Sequence, residues 1–323
     1  MKRVLVLMLK VFGFAVAGVV VLVLGFIGYL KVTKPVVKPA SAEKVEATPE
    51  RLARGKYLFH SVANCAGCHS EHEWTYGFPV KADTLGSGDC WDKRLGYEMP
   101  MCASNLTPDK KTGLGEWTDG EILRALREGV DRKGNALALA MPYPRFHEMG
   151  DEDARAVVAY VRTLAPIEKA RPHPQWGFPE DLFIRSMPKP EEGPVAVPSK
   201  ANKVAYGRYL AQLGNCAECH GEDYAGGEVR IGPSGPEAPA NLTPDPKTGL
   251  TASREEFIGR FKAYANLAPS AGGEVRAQMP WVAFSGMEEE DLGALYDYLR
   301  TLPPVSRQVE KFPKPDAAAA QKG

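Results

Sequence analysis

The sequence has no excess of charge of either sign, since 40 lysine and arginine residues balance 40 aspartate and glutamate residues. A chain without a basic surplus gives no reason to expect nucleic acid as a partner. Cysteine is scarce, and six residues among 323 are too few for a disulfide-stapled scaffold. Alternating apolar and polar residues, which are typical of β-strands, are also rare. These absences leave a chain whose length suits two helical domains.

One long apolar run lies at the N-terminus. Residues 11–30 contain no charged side chain, and about 20 such residues suffice for a membrane-spanning helix. We expect a cytoplasmic segment at 1–10, an uncleaved transmembrane anchor at 11–30 and a tether at 31–50 that is rich in proline and alanine. A cleaved signal peptide is the alternative, with Ala40-Ser41-Ala42 as its cleavage site, although this tripeptide lies well beyond the apolar run.

The remainder of the chain contains two segments that repeat each other. Short landmarks recur in the same order in both, which indicates an internal duplication. We expect domains at 51–165 and 201–305, a proline-rich linker at 166–200 and a disordered tail at 306–323. The matched landmarks are Gly55–Leu58 with Gly207–Leu210, Asn64–His69 with Asn215–His220, Asn105–Leu114 with Asn241–Leu250, Met141–Pro142 with Met279–Pro280, and Arg162–Leu164 with Arg300–Leu302.

Helical signals dominate both segments. Thr118 and Glu121 predict a capping box, and Gly129 predicts the end of the same helix. Apolar residues at helical spacing predict a last helix in each segment. We therefore expect an all-α fold with long loops. The apolar positions are Ala154, Val157, Val158, Val161 and Leu164 in the first segment, and Leu292, Leu295, Tyr296, Leu299 and Leu302 in the second.

Each segment carries a CxxCH pentapeptide, Cys65-Ala-Gly-Cys68-His69 in the first and Cys216-Ala-Glu-Cys219-His220 in the second. This pattern is typical of covalent haem c attachment. Two thiols about one helical turn apart can reach the two vinyl groups of a porphyrin, and the adjacent histidine then lies under the iron as its proximal ligand. A single pentapeptide is a weak signal, but two in matched contexts are strong, so we expect two covalently attached haems.

Two other uses of the cysteines compete with this interpretation. A zinc site built from both CxxC pairs is disfavoured because the pairs are much farther apart than zinc-ribbon ligands usually are. A redox-active CxxC disulfide is disfavoured because no βαβ pattern surrounds either pair. Since bacteria attach haem outside the cytoplasmic membrane, we expect the haem domains of a single-pass membrane protein to lie in the periplasm.

The sixth iron ligand must come from elsewhere in each segment. Met141 and Met279 are our candidates, because they lie in loops and precede proline, which stiffens the backbone that would hold the sulfur. Met149 and Met287 form a second matched pair just before the last helix. A bis-histidine haem, with His60 or His72 in place of Met141, is a further alternative. His147 and His173 have no counterpart in the second segment, and Met99 and Met101 likewise have none.

Cys90 and Cys102 occur in the first segment only. In an oxidising compartment we expect a disulfide between them. The alternative is that one of the two thiolates binds the first haem iron, which would lower its potential. Lys81 and Arg94 are candidates to bind haem propionates, and Trp117 and Trp281 are candidates to pack against the haem or the core.

The chain resembles membrane-anchored dihaem cytochromes c and the cytochrome subunits of periplasmic alcohol and sugar dehydrogenases. The resemblance covers nearly all of residues 50–305. It implies two tandem class I cytochrome c domains, in which the first and last helices cross closely, here at Gly55 near Tyr160 and at Gly207 near Tyr298. Those dehydrogenase subunits commonly carry three haems, whereas this chain has two attachment motifs. The motifs that carry the resemblance are the CxxCH pairs, Asn105–Asp109, Asn241–Asp245, Met141–Tyr143, Met279–Trp281 and Leu302–Pro304.

Two functions follow from these residues. We expect an electron carrier rather than an enzyme, with His69 and Met141 on one iron and His220 and Met279 on the other. Its redox partners would be a dehydrogenase, a cytochrome bc complex or a terminal oxidase. The alternative is a dihaem redox enzyme of the peroxidase or thiosulfate dehydrogenase type, with an exchangeable ligand at the first haem.

Overall fold

The computed structural model describes most of the chain. The described residues are 2–32, 34–35, 37–73, 78–91, 101–172, 176–232, 235–265 and 279–313. Arg94, Met99 and His173, which the sequence singled out, lie outside these ranges.

The N-terminal part of the chain forms one long helix followed by the first unit. The elements of this part are α1 (Lys2–Val32), α2 (Pro49–Tyr57) with a π-helical turn at Leu58–Val62, α3 (Cys65–His69), a 3₁₀ turn at Ala82–Thr84, β1 (Cys90–Trp91), β2 (Met101–Cys102), α4 (Asp119–Glu128), α5 (Tyr143–Phe146) and α6 (Asp151–Val161).

The second unit repeats this order of helices after one additional helix in the linker. The elements are α7 (Glu180–Ser186) in the linker, then α8 (Lys203–Leu213), α9 (Cys216–His220), β3 (Arg230–Gly232), β4 (Gly235–Glu237), α10 (Arg254–Lys262), α11 (Trp281–Ser285) and α12 (Glu289–Leu299).

Helix α1 is apolar and exposed. Within the described residues, Lys10–Tyr29 is the one stretch long and apolar enough to cross a membrane, with a mean hydropathy of 2.7. None of this stretch is buried against the rest of the chain. Length and composition are therefore those of a spanning helix.

The helix boundaries follow local capping signals. The predicted capping box at Thr118 and Glu121 is confirmed, and Gly129 ends α4 in a left-handed conformation with φ 73°. Ser253 and Glu256 form the matching box at the start of α10. The corresponding helices of the two units thus begin with the same pair of reciprocal hydrogen bonds.

The first and last helices of each unit cross at a glycine, as the resemblance implied. A Cβ atom on Gly55 would lie 1.9 Å from the carbonyl oxygen of Ala156 and 2.8 Å from Tyr160 Cβ. On Gly207 it would lie 1.9 Å from the carbonyl oxygen of Ala294. Since backbone atoms cannot move aside cheaply, only glycine permits this approach.

The core consists of the inward faces of these crossing helices. All five predicted apolar positions of the first unit are buried, from 0% exposed at Ala154 and Val158 to 7% at Leu164. In the second unit, Leu292, Leu295 and Leu299 are buried, while Tyr296 and Leu302, which follows the end of α12, are partly buried against the same core. The buried residues of both units belong to one continuous cluster, so the two units pack directly against each other.

The structure departs from the sequence expectations in three places. The fold is helix-dominated rather than purely helical, because β1 pairs with β2 and β3 pairs with β4 as short antiparallel hairpins. The linker contains helix α7 and is tied to the first unit where the Asp151 amide donates to the Val195 carbonyl at 2.8 Å. The tail, expected to be disordered, packs at its start, since the Ala238 amide donates to the Lys311 carbonyl at 2.9 Å.

Candidate haem sites

The two CxxCH segments fold as single helical turns with the same start. Asn64 precedes the first with φ 48° and ψ 42°, and Asn215 precedes the second with φ 52° and ψ 36°. Asparagine tolerates this left-handed conformation better than most residues. The Asn64 side chain also accepts a hydrogen bond from the Gly67 amide at 3.2 Å. The helical turn brings the two thiols, three residues apart, to one face.

Each CxxCH histidine is buried and oriented by a backbone carbonyl. His69 Nδ1 lies 2.7 Å from the Ser104 carbonyl oxygen, and His220 Nδ1 lies 2.7 Å from that of Ala240. A carbonyl can only accept, so Nδ1 carries the proton and Nε2 keeps the lone pair that an iron ion requires. Burial lowers the pKa of both imidazoles, which favours the neutral, ligating form.

Sequence reasoning missed the role of the Asn-Leu-Thr-Pro-Asp loops. Ser104 and Ala240 directly precede these loops. The carbonyl group that orients each histidine therefore lies at the start of its loop. In the first unit Asn105 Nδ2 donates to the Ile167 carbonyl at 2.7 Å, and Asp109 Oδ1 accepts from the Thr112 hydroxyl and amide, both at 2.7 Å. The repetition of the motif was visible in the sequence, but the sequence did not indicate that the loop holds the carbonyl that orients the histidine.

The second unit repeats these contacts around its own histidine. Asn241 Nδ2 donates to the Val305 carbonyl at 2.8 Å, and Asp245 Oδ1 accepts from the Thr248 hydroxyl and amide at 2.8 Å. Each loop therefore joins the histidine to the segment that follows the last helix of its unit.

The CxxCH thiols lie where the protonated form is favoured over the thiolate. Burial raises the pKa of Cys65 to about 12, that of Cys68 to about 11 and that of Cys216 to about 12. Redox-active cysteines react as thiolates, which a low pKa favours. The described residues contain no group of three or more histidine, cysteine, aspartate or glutamate side chains that could hold a metal ion. The residues thus fit haem c rather than zinc.

Comparison with known proteins assigns the chain to a family. The cytochrome c family model matches residues 52–165 and 204–303, which together make up more than half of the chain. This chain belongs to the cytochrome c family. With one matched region for each CxxCH pair, the cytochrome carries two covalently bound haem c groups.

The cytochrome has relatives of two kinds. It is 25% identical to the gluconate 2-dehydrogenase cytochrome c subunit of Pantoea cypripedii, over 85% of this chain and 64% of that protein. It is 28% identical to the alcohol dehydrogenase (quinone) cytochrome c subunit of Gluconacetobacter polyoxogenes, over 82% of this chain and 59% of the relative. A diheme cytochrome c-type protein of Cereibacter sphaeroides is 24% identical over 90% of this chain and 98% of its own length. The chain spans less than two thirds of the dehydrogenase subunits.

The candidate axial methionines of the cytochrome occupy equivalent turns. Tyr143 N donates to the Met141 carbonyl at 2.8 Å, and Trp281 N donates to the Met279 carbonyl at 2.8 Å, so each Met-Pro pair forms a tight turn. Both methionines are partly buried against the core. The alternative pair differs, because Met149 and Met287 are 0% and 3% exposed within the core cluster.

The other histidines of the cytochrome have protein partners of their own. His60 Nε2 lies 2.7 Å from the Tyr160 hydroxyl. His72 stacks on Phe78 with ring centroids 4.1 Å apart. His147 Nδ1 donates to a backbone carbonyl at 3.2 Å. Each of the three imidazoles thus has a contact within its own unit. Lys81 lies near the Glu71 carboxylate, at 4.0 Å.

A hairpin follows each attachment helix of the cytochrome. The Gly88 amide donates to the His69 carbonyl at 2.8 Å, and β1 and β2 follow with Cys90 and Cys102 joined by a disulfide of 2.13 Å. In the second unit the Gly226 amide donates to the His220 carbonyl at 2.8 Å, and the β3–β4 hairpin follows without cysteines. Both units thus have the hairpin, and the disulfide occurs on the hairpin of the first unit.

Proposed function

We propose that the protein is a membrane-anchored dihaem cytochrome c that passes single electrons, with both irons ligated by histidine and methionine. The observation that carries this proposal is the doubled arrangement of a buried CxxCH histidine whose Nδ1 is held by a carbonyl. The proposed residues are Cys65, Cys68, His69 and Met141 for the first haem, and Cys216, Cys219, His220 and Met279 for the second.

The choice of Met141 and Met279 rests on burial and backbone form. A ligand must turn its sulfur out of the protein core and towards the iron, and partly buried residues on stiff Met-Pro turns are suited to this. Met149 and Met287 instead fill the core at the start of the last helix. A methionine opposite histidine raises the haem potential and leaves no open position for oxygen or peroxide.

The haem supplies a one-electron couple, and the chain supplies its environment. The Ser104 and Ala240 carbonyls fix the imidazole rings, so that the ligands keep their orientation in both oxidation states. The Asn105 and Asn241 loops hold those carbonyls in place. Such a prearranged site is suited to electron transfer, which requires little movement of the ligands.

We infer that residues 51–165 and 201–305 form two class I cytochrome c domains on the periplasmic side of a bacterial membrane. Helix α1 supports the anchor by its length, apolar composition and exposure. Alkaline carbonate extraction of membranes, followed by intact mass measurement, tests this: an anchored chain stays in the pellet with residues 1–30 intact, and a cleaved one appears in the soluble fraction.

We propose a dehydrogenase as the electron donor, because relatives of this chain are cytochrome subunits of gluconate, fructose and alcohol dehydrogenases. A cytochrome bc complex or a terminal oxidase remains the proposed acceptor. Co-purification from detergent-solubilised membranes tests the donor, since a stable dehydrogenase complex retains the cytochrome through two different separation steps.

The ligand assignment is tested with Met141→Ala and Met279→Ala in the full chain. Each variant should lose about half of the ferric sulfur-to-iron charge-transfer absorption, because each removes the ligand of one haem. Met149→Ala is the matched control and should keep that absorption. Retention of the absorption in both loop variants would overturn the assignment.

A dihaem enzyme, the alternative, requires an iron with an exchangeable ligand. If both irons instead carry histidine and methionine, as proposed, the ferrous wild-type protein should not bind carbon monoxide at either haem and should not turn over peroxide. Stoichiometric carbon monoxide binding at the first haem would favour the enzyme.

A further inference from the structure

Two tyrosines occupy the same position in the repeated units. Tyr57 lies two residues after the crossing glycine Gly55, and Tyr209 lies two residues after Gly207. Among the described residues, the hydrogen-bond partners of both hydroxyls lie in the opposite unit. Each reaches across to the last helix of the other unit, so the two helices exchange contacts with approximate two-fold symmetry.

The two hydrogen-bond sets are nearly identical. The Tyr57 hydroxyl donates to Asp291 Oδ2 at 2.8 Å and accepts from the Glu288 amide at 3.1 Å. The Tyr209 hydroxyl donates to Asp153 Oδ2 at 2.7 Å and accepts from the Gly150 amide at 3.1 Å. Each hydroxyl thus satisfies one carboxylate and one amide at the start of α12 or α6. We call these four contacts the tyrosine clasp.

The carboxylates of the clasp are buried and charge-compensated. Asp291 is 0% exposed and Asp153 is 3% exposed. The Lys200 ammonium lies 2.9 Å from Asp291 Oδ1, and the Arg54 guanidinium lies 2.7 Å from Asp153 Oδ2. Each clasp oxygen also accepts from a second donor, Tyr206 for Asp291 Oδ2 and Arg54 for Asp153 Oδ2. Removal of a tyrosine hydroxyl therefore costs one hydrogen bond to a charged group, and bonds of this kind are among the stronger ones in proteins.

The clasp also lies beside the segments that lead to the haem cysteines. A Cβ atom on Gly214 would lie 3.6 Å from the Val62 carbonyl oxygen of the first unit and 3.5 Å from Cys216 Sγ. A Cβ atom on Gly286 would lie 2.4 Å from Ser61 Oγ. The chain immediately before one attachment helix therefore contacts the chain immediately before the other.

We propose that Tyr57 and Tyr209 are positioning residues that hold the two haem units in the arrangement required for electron exchange within the chain. This inference rests on the proposed electron-transfer function. Electron tunnelling falls steeply with distance, so a rotation of one unit about the shared interface would slow the exchange without changing either iron's ligands.

The test compares full-length wild-type protein with Tyr57→Phe, Tyr209→Phe and the double variant. Phenylalanine keeps the ring and removes only the hydroxyl. Tyr160→Phe is the matched control, because the Tyr160 hydroxyl contacts His60 inside the first unit. The exchange rate is measured by NMR from the interconversion of the two half-reduced forms, and interface opening is measured by hydrogen exchange at the Gly150 and Glu288 amides.

We expect the double variant to exchange electrons about tenfold more slowly. Each lost hydrogen bond to a buried charge shifts the equilibrium from the closed interface towards a rotated, open one by about tenfold or more. Amide exchange at the interface should accelerate, while the charge-transfer absorption and both midpoint potentials stay at the wild-type values. Each single variant should be intermediate, and Tyr160→Phe should match wild type.

Wild-type electron exchange in the double variant, with both ligand absorptions intact, would overturn the proposal even if the interface opens more often. If the double variant does not incorporate haem, the single variants decide the question, and unchanged rates in both overturn it. Failure of the proposed function is distinguishable, because it shows in the wild-type protein as absent methionine ligation.

Discussion

The two units hold the proximal histidine in the same way but differ in what surrounds it. The carbonyls of Ser104 and Ala240 accept from His69 and His220 at the same distance, 2.7 Å. Only the first unit carries a disulfide on the hairpin that follows. The contacts that hold the proposed histidine ligands are thus shared, and the two units differ in the loops around them.

A matched pair of glutamates illustrates the same difference. Glu71 and Glu222 both lie two residues after the haem histidine. Glu71 pairs with Lys169 and Arg171 of the linker, whereas Glu222 pairs with Arg145 of the first unit. One carboxylate thus ties the linker to the first unit, and its counterpart joins the two units.

Removal of one haem should produce the largest difference between the two units. Replacing Cys65 and Cys68 by serine should abolish covalent attachment in the first unit and leave the second haem in place, because each unit contains its own attachment helix. The Cys216 and Cys219 double variant should give the converse. Haem-to-protein ratio and intact mass measure the loss. A protein that lost both haems from either change would show that the units do not mature independently.

The crossing glycines should be equally intolerant in both units. Gly55→Ala and Gly207→Ala place a methyl group 1.9 Å from a backbone oxygen, so we expect each to lower the free energy of unfolding by about 3 kcal/mol. Denaturant titration of the holoprotein measures this change.

Gly259→Ala in α10 is the control for the glycine variants, because nothing lies within 4 Å of its added methyl group. It should stabilise the protein by about 0.5–1 kcal/mol. A neutral result at Gly55 would contradict the close crossing.

The disulfide should affect the stability of the first unit and not its iron. Replacing Cys90 and Cys102 by serine opens a loop with a sequence separation of 12 and should cost about 2 kcal/mol in unfolding free energy. The ferric absorption of the first haem should not change. A shift of that spectrum to a non-thiolate form would instead indicate that one cysteine binds the iron.

The smallest expected effect is a pH dependence confined to the first unit. Lys169 and Arg171 hold the pKa of Glu71 below its ordinary value. A lowered folded-state pKa gives stability that is present above the unfolded pKa and is lost as the pH falls through the folded value. Glu71→Gln should therefore lower stability by about 0.5–1 kcal/mol at pH 7 and by less near pH ~3. Equal loss at both pH values would contradict the ion-pair explanation.

Much of the site follows from local patterns in the sequence. The CxxCH pentapeptides, the Met-Pro pairs and the Thr118 capping box are each set by residues close in the chain, and each of these three signals recurs in the second unit. The helix crossing at glycine could be predicted only from the resemblance to known cytochromes, because an isolated glycine in a helix does not reveal which backbone approaches it.

The remaining features depend on contacts between distant residues. Tyr57 and Asp291 are 234 positions apart, and no local pattern links them. The carbonyls of Ser104 and Ala240 carry no side-chain signature, since any residue has a carbonyl. Helix α7 was hidden because prolines on both sides of it suggested an irregular linker.

Near-infrared magnetic circular dichroism of the fully ferric wild-type chain tests the central claim most directly, because the energy of the ligand-to-iron bands identifies the axial pair at each haem. The account predicts that all of the intensity, corresponding to two haems per chain, lies at the histidine–methionine position. A histidine–histidine, thiolate or high-spin band carrying half of the intensity would contradict it.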